Sequence, residues 1–447
     1  MAGRASKKGI WGWMLFDWAG QPFHTLVITF IFAPYFAASL FDDKATGQST
    51  WAFLIGFAGI LVAVSAPFLG AAADKAGPRK PWVFGFSALF VAGSIGLWWA
   101  MPGAESLTWV YVAFIAAFIG AEYMIIFTNS MLPDLVPRAD VGRLSGYGWA
   151  LGYVGGVLIL LIYLAFISTA PEADTTLLGL RPIFGLDPDL GEPARAAGPI
   201  SALWFVVFAI PFFLFTPDQR KDTALDGAVE AGVGGLRDTL AKLKAFPHLW
   251  MFFLSSMLYR DGLVVLYSFG AIYSAGVLGW GSFELGIFGI AAAIAGALGA
   301  WFGGWMDGRK GPMPVVTFSI WMLLLVSIAV LTITPRTVLF MAVAEGSPWP
   351  NIAFFICGAV IGAAGGAMQA SSRTLVVAFV AGKLPMTEAF GIYAMAGKAT
   401  AFAGPILVGI VTALTSSQRA GVSPVVALFF AGIVLLVMAN RRAGVAV

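Results

Sequence analysis

The chain is dominated by apolar runs, and most of them are long enough to cross a membrane as a helix. A helix needs about 20 predominantly apolar residues to span the hydrocarbon core of a bilayer. Because lipid offers the backbone no hydrogen-bond partners, such runs must be helical, and they predict an all-α integral membrane protein. Twelve runs are expected, at 12–40, 51–73, 82–101, 107–131, 144–169, 199–216, 249–277, 282–305, 314–334, 350–372, 386–413 and 423–440.

The composition supports this interpretation. Charged residues make up 11% of the 447 residues and hydrophobic residues 59%, whereas soluble globular chains contain about 25% charged residues. The single cysteine, Cys357, lies in an apolar run and there are only two histidines, His24 and His248. A disulfide framework is therefore excluded, and we expect neither a metal site nor a cofactor.

The loop charges predict the orientation. If both termini are inside, the inner segments hold 18 lysines and arginines and the outer segments hold five. This positive-inside bias predicts a multi-pass protein of the plasma (inner) membrane with both termini cytoplasmic. The longest inner segment, 217–248, is expected to be a cytoplasmic linker between an N-terminal six-helix bundle at 1–216 and a C-terminal one at 249–447.

The two halves contain a repeated turn. The pattern G-x-x-x-D, followed by glycine and cations, begins at Gly70 before the inner turn between the second and third runs and recurs at Gly303 before the turn between the eighth and ninth. Gly146 and Gly152 near the start of the fifth run are spaced like Gly391 and Gly397 in the eleventh. Two equivalent six-helix halves are typical of secondary transporters.

The repeated turn is also a candidate conformational latch. Glycine lets two helices approach closely, and a carboxylate can meet a helix N-terminus or a cation across a moving interface. The alternative is that each turn is a generic charged loop. The second copy of the pattern at an equivalent position weakens this alternative. The latch residues are Gly70, Asp74, Lys75, Arg79, Gly303, Asp307 and Arg309.

The first turn matches the major facilitator signature, and longer stretches are similar to the autophagy-related vacuole-effluxer-like branch, including its bacterial "unknown major facilitators". The matching stretches are FDWA at 16–19, PYF at 34–36, NSMLP at 129–133, SGYG at 145–148, GYVGG at 152–156, YRDG at 259–262, QASSR at 369–373, FG at 390–391, GK at 397–398 and GP at 404–405.

This resemblance implies a major facilitator fold, and it implies amino-acid export from fungal vacuoles for some members. Two departures concern positions expected to face a central cavity. Gly20-Gln21-Pro22 replaces a small polar pair of the branch, and Arg260 replaces an asparagine. The substrate of this chain is therefore not fixed by the resemblance.

Six ionisable residues within the predicted spans or at the inner end of one are singled out: Asp17, Glu122, Arg260, Asp261, Arg373 and Lys398. A charge at mid-membrane costs at least a few kcal/mol, so such residues face the bundle interior and are functional candidates by default. A buried structural ion pair is the alternative. Gln21 and His24 follow Asp17 at i+4 and i+7, on one helical face.

These residues define the candidate sites. The substrate-binding candidates are Asp17, Gln21, His24, Glu122, Tyr259, Arg260, Asp261 and Lys398. The proton-coupling candidates are Glu122, Asp17 and Asp261, and the gate or structural candidates are Asn129, Gln369 and Arg373. The carboxylate of a zwitterionic solute would meet Lys398 or Arg260, and its ammonium group would meet an acid.

The sequence thus predicts a secondary active transporter, not an enzyme, that moves a small polar or zwitterionic, amino-acid-like solute by alternating access. The energy is expected to come from a proton gradient, by symport or antiport, or from the gradient of the solute itself, because the Gly-rich loops do not match a phosphate-binding P-loop. The expected partners are the solute, protons and the lipid bilayer, without nucleic acid, and the chain is expected to be a monomer. The alternatives are a transporter of lipid-like or peptide-like substrates, a non-transporting membrane sensor and a membrane-embedded enzyme.

Overall fold

The computed structural model describes residues 5–76, 78–136, 141–169, 175–218, 246–380, 393, 397 and 400–443. The long helices of the N-terminal half are α1 (Lys7–Ser39), α2 (Lys44–Ala76), α3 (Lys80–Gly96), α4 (Thr108–Ser130), α5 (Val141–Phe166) and α6 (Ala197–Phe215). Those of the C-terminal half are α7 (Pro247–Tyr273), α8 (Ser282–Lys310), α9 (Pro312–Thr332), α10 (Trp349–Val380), α11 (Ala403–Thr415) and α12 (Pro424–Ala443).

Ten helices in the described parts of the chain are long and apolar enough to cross a membrane. The two other expected spans correspond to α5 and α11, whose apolar helices Ala150–Phe166 and Ala403–Thr415 are shorter. Part of the expected eleventh span lies outside the described residues. The chain is therefore a multi-pass, mostly helical membrane protein, with ten of the twelve expected spans found at full length.

Helix α1 contains a break that the hydropathy pattern does not reveal. Pro22 ends its first α-helical part, Phe23–Phe30 is π-helical, and Phe32–Ser39 is again α-helical. Proline has no N–H to donate within a helix, so the backbone is rearranged around it. The change follows directly after Asp17 and Gln21, and π-helical segments are frequent at functional sites.

Contacts between residues group the chain into two units. The first contains Met1–Asp42, Phe57–Val233 and Gly281–Gly286, and the second contains Asp43–Gly56, Gly234–Trp280 and Ile287–Val447. The expected division at 1–216, 217–248 and 249–447 remains a prediction, since most of the expected linker, 219–245, lies outside the described residues.

The first unit packs around aromatic side chains. The Phe16 ring of α1 lies 4.6 Å from the Phe212 ring and 5.4 Å from the Phe205 ring, both on α6. Phe205 also contacts Phe90 of α3 at 5.0 Å. All four rings are buried, so α1 is fixed against α3 and α6, and one of its remaining faces is directed at α5.

In the second unit, the first turns of α2 are held by buried polar groups. Gln48 is fully buried, and its Nε2 donates to Thr412 Oγ1 at 3.0 Å and to the Gln418 carbonyl oxygen at 3.1 Å. Gln418 Nε2 in turn donates to the Lys44 carbonyl oxygen at 3.0 Å. Because buried amides need such partners, this network fixes the start of α2 to α11 and the segment after it.

A short hairpin lies between α9 and α10. Its strands are β1 (Thr337–Val338) and β2 (Met341–Ala342), which pair antiparallel with Val338 opposite Met341. The connecting turn therefore consists of two residues, Leu339 and Phe340.

Candidate functional site

The carboxylate of Asp17 lies directly over a glycine of α5. A Cβ atom at Gly148 would be 2.7 Å from Asp17 Oδ2 and 3.0 Å from the Trp13 ring. Real Cβ atoms do not approach other atoms as closely as 2.7 Å, so α5 can lie this near to the acid only because residue 148 has no side chain. Asp17 itself is half-buried.

The contact between α1 and α5 continues along a row of glycines. A Cβ at Gly152 would lie 3.5 Å from Gln21 Oε1, and one at Gly156 would lie 2.8 Å from Thr25 Oγ1. The predicted pair of Asp17 and Gln21 is thus placed together on the face of α1 that meets α5. His24 is half-buried, and its ring centroid lies 6.0 Å from that of Phe23.

Within the described part of the chain, the Asp17 carboxylate has neither an ion pair nor a hydrogen bond. A carboxylate in a membrane-spanning helix is expensive to keep charged without a partner. Asp17 is therefore a group that a proton or a cationic part of a solute would stabilise. Trp18 beside it has a packing role, since its ring stacks on Trp204 at 5.6 Å.

Arg260 on α7 is held by residues that precede α11. Its Nη1 donates to the Tyr393 carbonyl oxygen at 3.0 Å, and its guanidinium carbon lies 4.5 Å from the centre of the Tyr393 ring. A Cβ at Gly397 would overlap the guanidinium group, which therefore lies flat against this glycine. No carboxylate in the described part of the chain forms an ion pair with Arg260.

Asp261 contacts the same stretch of chain further along. Its carboxylate accepts a hydrogen bond from the Thr400 hydroxyl at 3.4 Å, and its side chain is almost fully buried. A Cβ at Gly404 would lie 3.1 Å from the Asp261 carbonyl oxygen. Adjacent side chains diverge by about 100° around a helix axis. Arg260 and Asp261 accordingly contact different residues of the same segment.

Tyr259 is a core residue in this structure. It is fully buried, and its hydroxyl lies 2.9 Å from Ser372 Oγ on α10. This position links α7 to α10 and leaves no exposed atom for a solute. The sequence-based assignment of Tyr259 to substrate binding stays a prediction.

The remaining candidates occupy varied positions. Glu122 is half-buried in α4, Asn129 is exposed at the end of that helix, and on α10 Gln369 is half-buried while Arg373 is exposed. Lys398 lies outside the described residues. Among the described candidates, the structure therefore places Asp17 and Gln21 on the face of α1 that meets α5, and it places Arg260 and Asp261 against the segment before α11.

The first candidate latch contains a partner that the sequence did not indicate. The backbone N–H groups of Arg79 and Lys80 donate to the two carboxylate oxygens of Asp218 at 2.9 and 3.0 Å. Asp218 thus caps the start of α3, and Arg79 Nε also donates to Ser130 Oγ at 3.2 Å. Gly70, Asp74 and Lys75 belong to the helical part of α2, but the surroundings of Gly70 and the side chains of Asp74 and Lys75 lie outside the described part of the structure.

The second copy shows the close approach expected of its glycine. A Cβ at Gly303 would lie 2.7 Å from the Ala367 side chain, so this glycine brings α8 against α10. Arg309 stacks on Trp305 at 3.9 Å, and in the described part of the chain Asp307 Oδ1 is buried without a hydrogen bond. The assignment of Asp307 and Arg309 to a conformational latch stays a prediction.

Comparison with known proteins identifies one family. The family model described as "Vacuole effluxer Atg22 like" matches residues 37–446. A relative from Bacillus subtilis (strain 168), the "Uncharacterized MFS-type transporter YxiO", is 24% identical over 433 residues that cover 95% of this chain and 93% of the relative.

Several solved transporters have a similar fold. A bacterial homolog of the human lysosomal transporter Spinster, in an inward-facing and unoccupied conformation, gives a TM-score of 0.61 at 17% identity and covers 97% of this chain and 95% of its own. The nucleoside transporter NupG gives a TM-score of 0.61 at 15% identity and covers 97% of this chain and 98% of its own. A POT family transporter in complex with 5-aminolevulinic acid gives a TM-score of 0.63 at 11% identity and covers 98% of this chain and 95% of its own. These likenesses confirm the predicted major facilitator fold.

Proposed function

Because the chain belongs to the vacuole effluxer Atg22-like family, we propose that it is a secondary active transporter of a small zwitterionic, amino-acid-like solute. It is a multi-pass membrane transporter of the major facilitator kind. The proposal adds the solute class, alternating access and coupling to protons. It also adds a plasma-membrane location with both termini in the cytoplasm, which the loop charges support.

The observation that carries the proposal is a repeated placement of opposite charges. Asp17 faces residue 148 of the fifth helix and lies beside 152, whereas Arg260 contacts residues 393 and 397 before α11. Gly152 and Gly397 are equivalent in the internal repeat, and so are positions 148 and 393, each four residues earlier. The acid of one half thus has a cation as its counterpart in the other half.

This arrangement suits a solute with one charge of each sign. The Asp17 carboxylate would serve as the group for an ammonium, and the planar guanidinium of Arg260 would serve as the group for a carboxylate. Hydrogen bonds that involve a charged partner are stronger than neutral ones, by about a factor of two. A solute that lacks either charge would therefore bind much more weakly.

Proton coupling is assigned to Glu122. It is a half-buried acid in an otherwise apolar part of α4, and it follows the buried Ala121. A carboxyl group that exchanges its proton between two conformations can couple a proton gradient to solute movement. Asp17 and Asp261 are the other acids that could serve this role.

Counterflow in proteoliposomes tests the function. Vesicles loaded with one unlabelled solute would be offered the same labelled solute, across amino acids, 5-aminolevulinic acid, small peptides, nucleosides, sugars and lysolipids. We expect exchange of a zwitterionic solute, with initial rates at least tenfold lower for Asp17→Asn and Arg260→Gln. The control is Arg336→Gln, which removes an exposed cation far along the chain from both groups.

Three outcomes would overturn parts of the proposal. Exchange of lysolipids alone would replace the solute class, and variants that exchange at the wild-type rate would remove Asp17 and Arg260 from the site. Glu122→Gln is expected to keep counterflow but lose accumulation driven by a pH gradient. If Glu122→Gln still accumulates solute, the coupling assignment is wrong.

A further inference from the structure

The hairpin between α9 and α10 has an unusual turn. Leu339 and Phe340 have φ angles of 49° and 66°, in the left-handed region that favours glycine. Two-residue hairpin turns with positive φ at both positions normally carry Asn-Gly or a similar pair. Residues with bulky side chains rarely adopt this conformation. Their presence at a strained turn therefore indicates that the side chains themselves have a role.

The side chains of this turn are directed away from the protein. Leu339, Phe340 and Met341 are 53%, 79% and 65% exposed, although all three are large and apolar. We call these three residues the hairpin tip. Exposed apolar residues that lie next to one another mark an interaction surface more often than scattered ones do.

The base of the hairpin is polar and firmly bonded. Thr332 Oγ1 accepts from the Leu339 N–H at 3.1 Å, and Thr337 Oγ1 donates to the Thr332 carbonyl oxygen at 2.9 Å. The Thr334 and Thr337 hydroxyls are 2.7 Å apart. These bonds tie the hairpin to the last turn of α9 and hold its tip in a fixed direction.

The hairpin also lies next to the ends of two membrane-spanning helices. Helix α9 ends at Thr332, seven residues before Leu339, and α10 begins at Trp349, whose side chain is 62% exposed. Aromatic residues are enriched at the level where a bilayer meets water. The tip is therefore continuous with the lipid-facing surface of these two helices.

We propose that the hairpin tip inserts into the boundary between headgroups and acyl chains on the side of the membrane where α9 ends. Its partner is the lipid surface itself. The charges nearest to the tip, Arg336 and Glu345, form an ion pair at 3.2 Å and cancel each other. Insertion is therefore driven by burial of apolar side chains, and it does not require anionic lipids.

Spin labels measure the depth of the tip directly. In a Cys357→Ser background, a single cysteine would be introduced in the full-length protein by Phe340→Cys, or by Glu345→Cys as the control on the exposed base. Both labelled proteins would be reconstituted into vesicles of neutral phosphatidylcholine, with and without anionic lipid. Power saturation would then compare collisions with oxygen, which concentrates in lipid, and with a water-soluble nickel chelate.

For the Phe340→Cys label we expect an oxygen-to-nickel collision ratio at least threefold above that of the Glu345→Cys label, in both lipid mixtures. Equal ratios would place the tip in water or against a soluble partner. Either result would overturn the proposal. A high ratio only with anionic lipid would also contradict it, because the stated driving force is apolar.

A second variant keeps the test independent of the reporter position. Leu339→Asn with Phe340→Gly provides residues that favour this turn, so the hairpin is expected to fold at least as well. In that background a label introduced by Met341→Cys should fall to the ratio found for Glu345→Cys. If it keeps a high ratio, Leu339 and Phe340 do not anchor the hairpin.

Discussion

The Asp17 carboxylate occupies the space that a side chain at Gly148 would fill, with Oδ2 placed 2.7 Å from an ideal Cβ at that glycine. The acid and the glycine belong to different helices, α1 and α5, of the same unit. The position of the acid therefore depends on the absence of a side chain on its neighbour, which can be tested by adding one methyl group.

Gly148→Ala should reduce solute exchange at least tenfold, because the new methyl group displaces the Asp17 carboxylate. The matched control is Gly85→Ala on α3, where no atom beyond the neighbouring residues and the local helix backbone lies within 4 Å of the added Cβ. Alanine is favoured over glycine in a helix by about 0.8–1.0 kcal/mol, so the control should be at least as stable as the wild type. Initial rates in proteoliposomes, with thermal unfolding in detergent, would check both. Wild-type exchange by Gly148→Ala would show that Asp17 need not stay in place.

The stacking of Arg260 on Tyr393 predicts a difference between two conservative variants. Arg260→Lys keeps the charge but loses the flat guanidinium, and we expect a loss of about 1 kcal/mol in stability together with weaker solute binding. Tyr393→Phe keeps both the ring and the backbone carbonyl that Arg260 uses, so it should behave as the wild type. Thermal unfolding and the apparent KM for exchange would be measured. An effect of Tyr393→Phe as large as that of Arg260→Lys would contradict this geometry.

Asp43 predicts a pH-dependent contribution at the start of α2. Its carboxylate accepts from the Thr46 hydroxyl at 2.7 Å and from the N–H groups of Thr46 and Ala45 at 2.9 and 3.2 Å, and these bonds lower its pKa below the ordinary value of 3.8. A lowered pKa in the folded state gives stability that is present above the ordinary value and is lost as the pH falls through the folded-state pKa.

Replacing this capping residue by Asp43→Ala should cost at most about 1 kcal/mol near neutral pH. The difference in Tm from the wild type should shrink as the pH is lowered from 6 to 3, because the stability that the charged cap gives the wild type is lost progressively as the pH falls below the ordinary pKa. Asp42→Ala, next to it, removes an exposed carboxylate that makes no hydrogen bond to the described residues. It should show little difference at any pH. A difference in Tm for Asp43→Ala that grows towards pH 3 would refute the assignment.

The buried Gln48 predicts a coupling between distant parts of the chain. Gln48→Met leaves the Gln418 carbonyl oxygen without its donor, which should cost about 1–2 kcal/mol of stability. Thr412→Val removes the acceptor of the other bond, so the two substitutions together should cost less than their sum by about 1 kcal/mol. A double-mutant cycle of unfolding free energies measures this. Strict additivity would show that the bond at 3.0 Å contributes nothing.

The sequence predicted the helices well where lipid exposure determines them. The expected second span, 51–73, is shorter than α2, which begins at Lys44. The difference lies in residues such as Gln48, which is polar but buried because Thr412 and Gln418 bind it. Hydropathy measures a residue alone and cannot detect partners that are more than 360 positions away. The π-helical part of α1 was missed for a related reason, since Pro22 alone predicts a bend without its form.

The site was predicted in its charges but not in its contacts. Asp17 and Arg260 are recognisable because ionisable residues are rare in apolar runs, and Gly152 and Gly397 were recognised as equivalent. That these glycines lie against the charged side chains depends on tertiary packing. Asp218 was missed altogether, since an acid just after a span is unremarkable, and the N–H groups it caps lie 139 and 138 residues away.

The most direct test of the account removes one charge at a time from both the solute and the protein. The best-transported amino acid of the counterflow panel would be compared with its decarboxylated amine and its deaminated acid in competition assays. We expect the wild type to prefer the amino acid at least tenfold over either analogue. Asp17→Asn should abolish only the preference over the deaminated acid. Arg260→Gln should abolish only the preference over the decarboxylated amine. If both variants keep the wild-type order of preference, Asp17 and Arg260 do not recognise the charges of the solute.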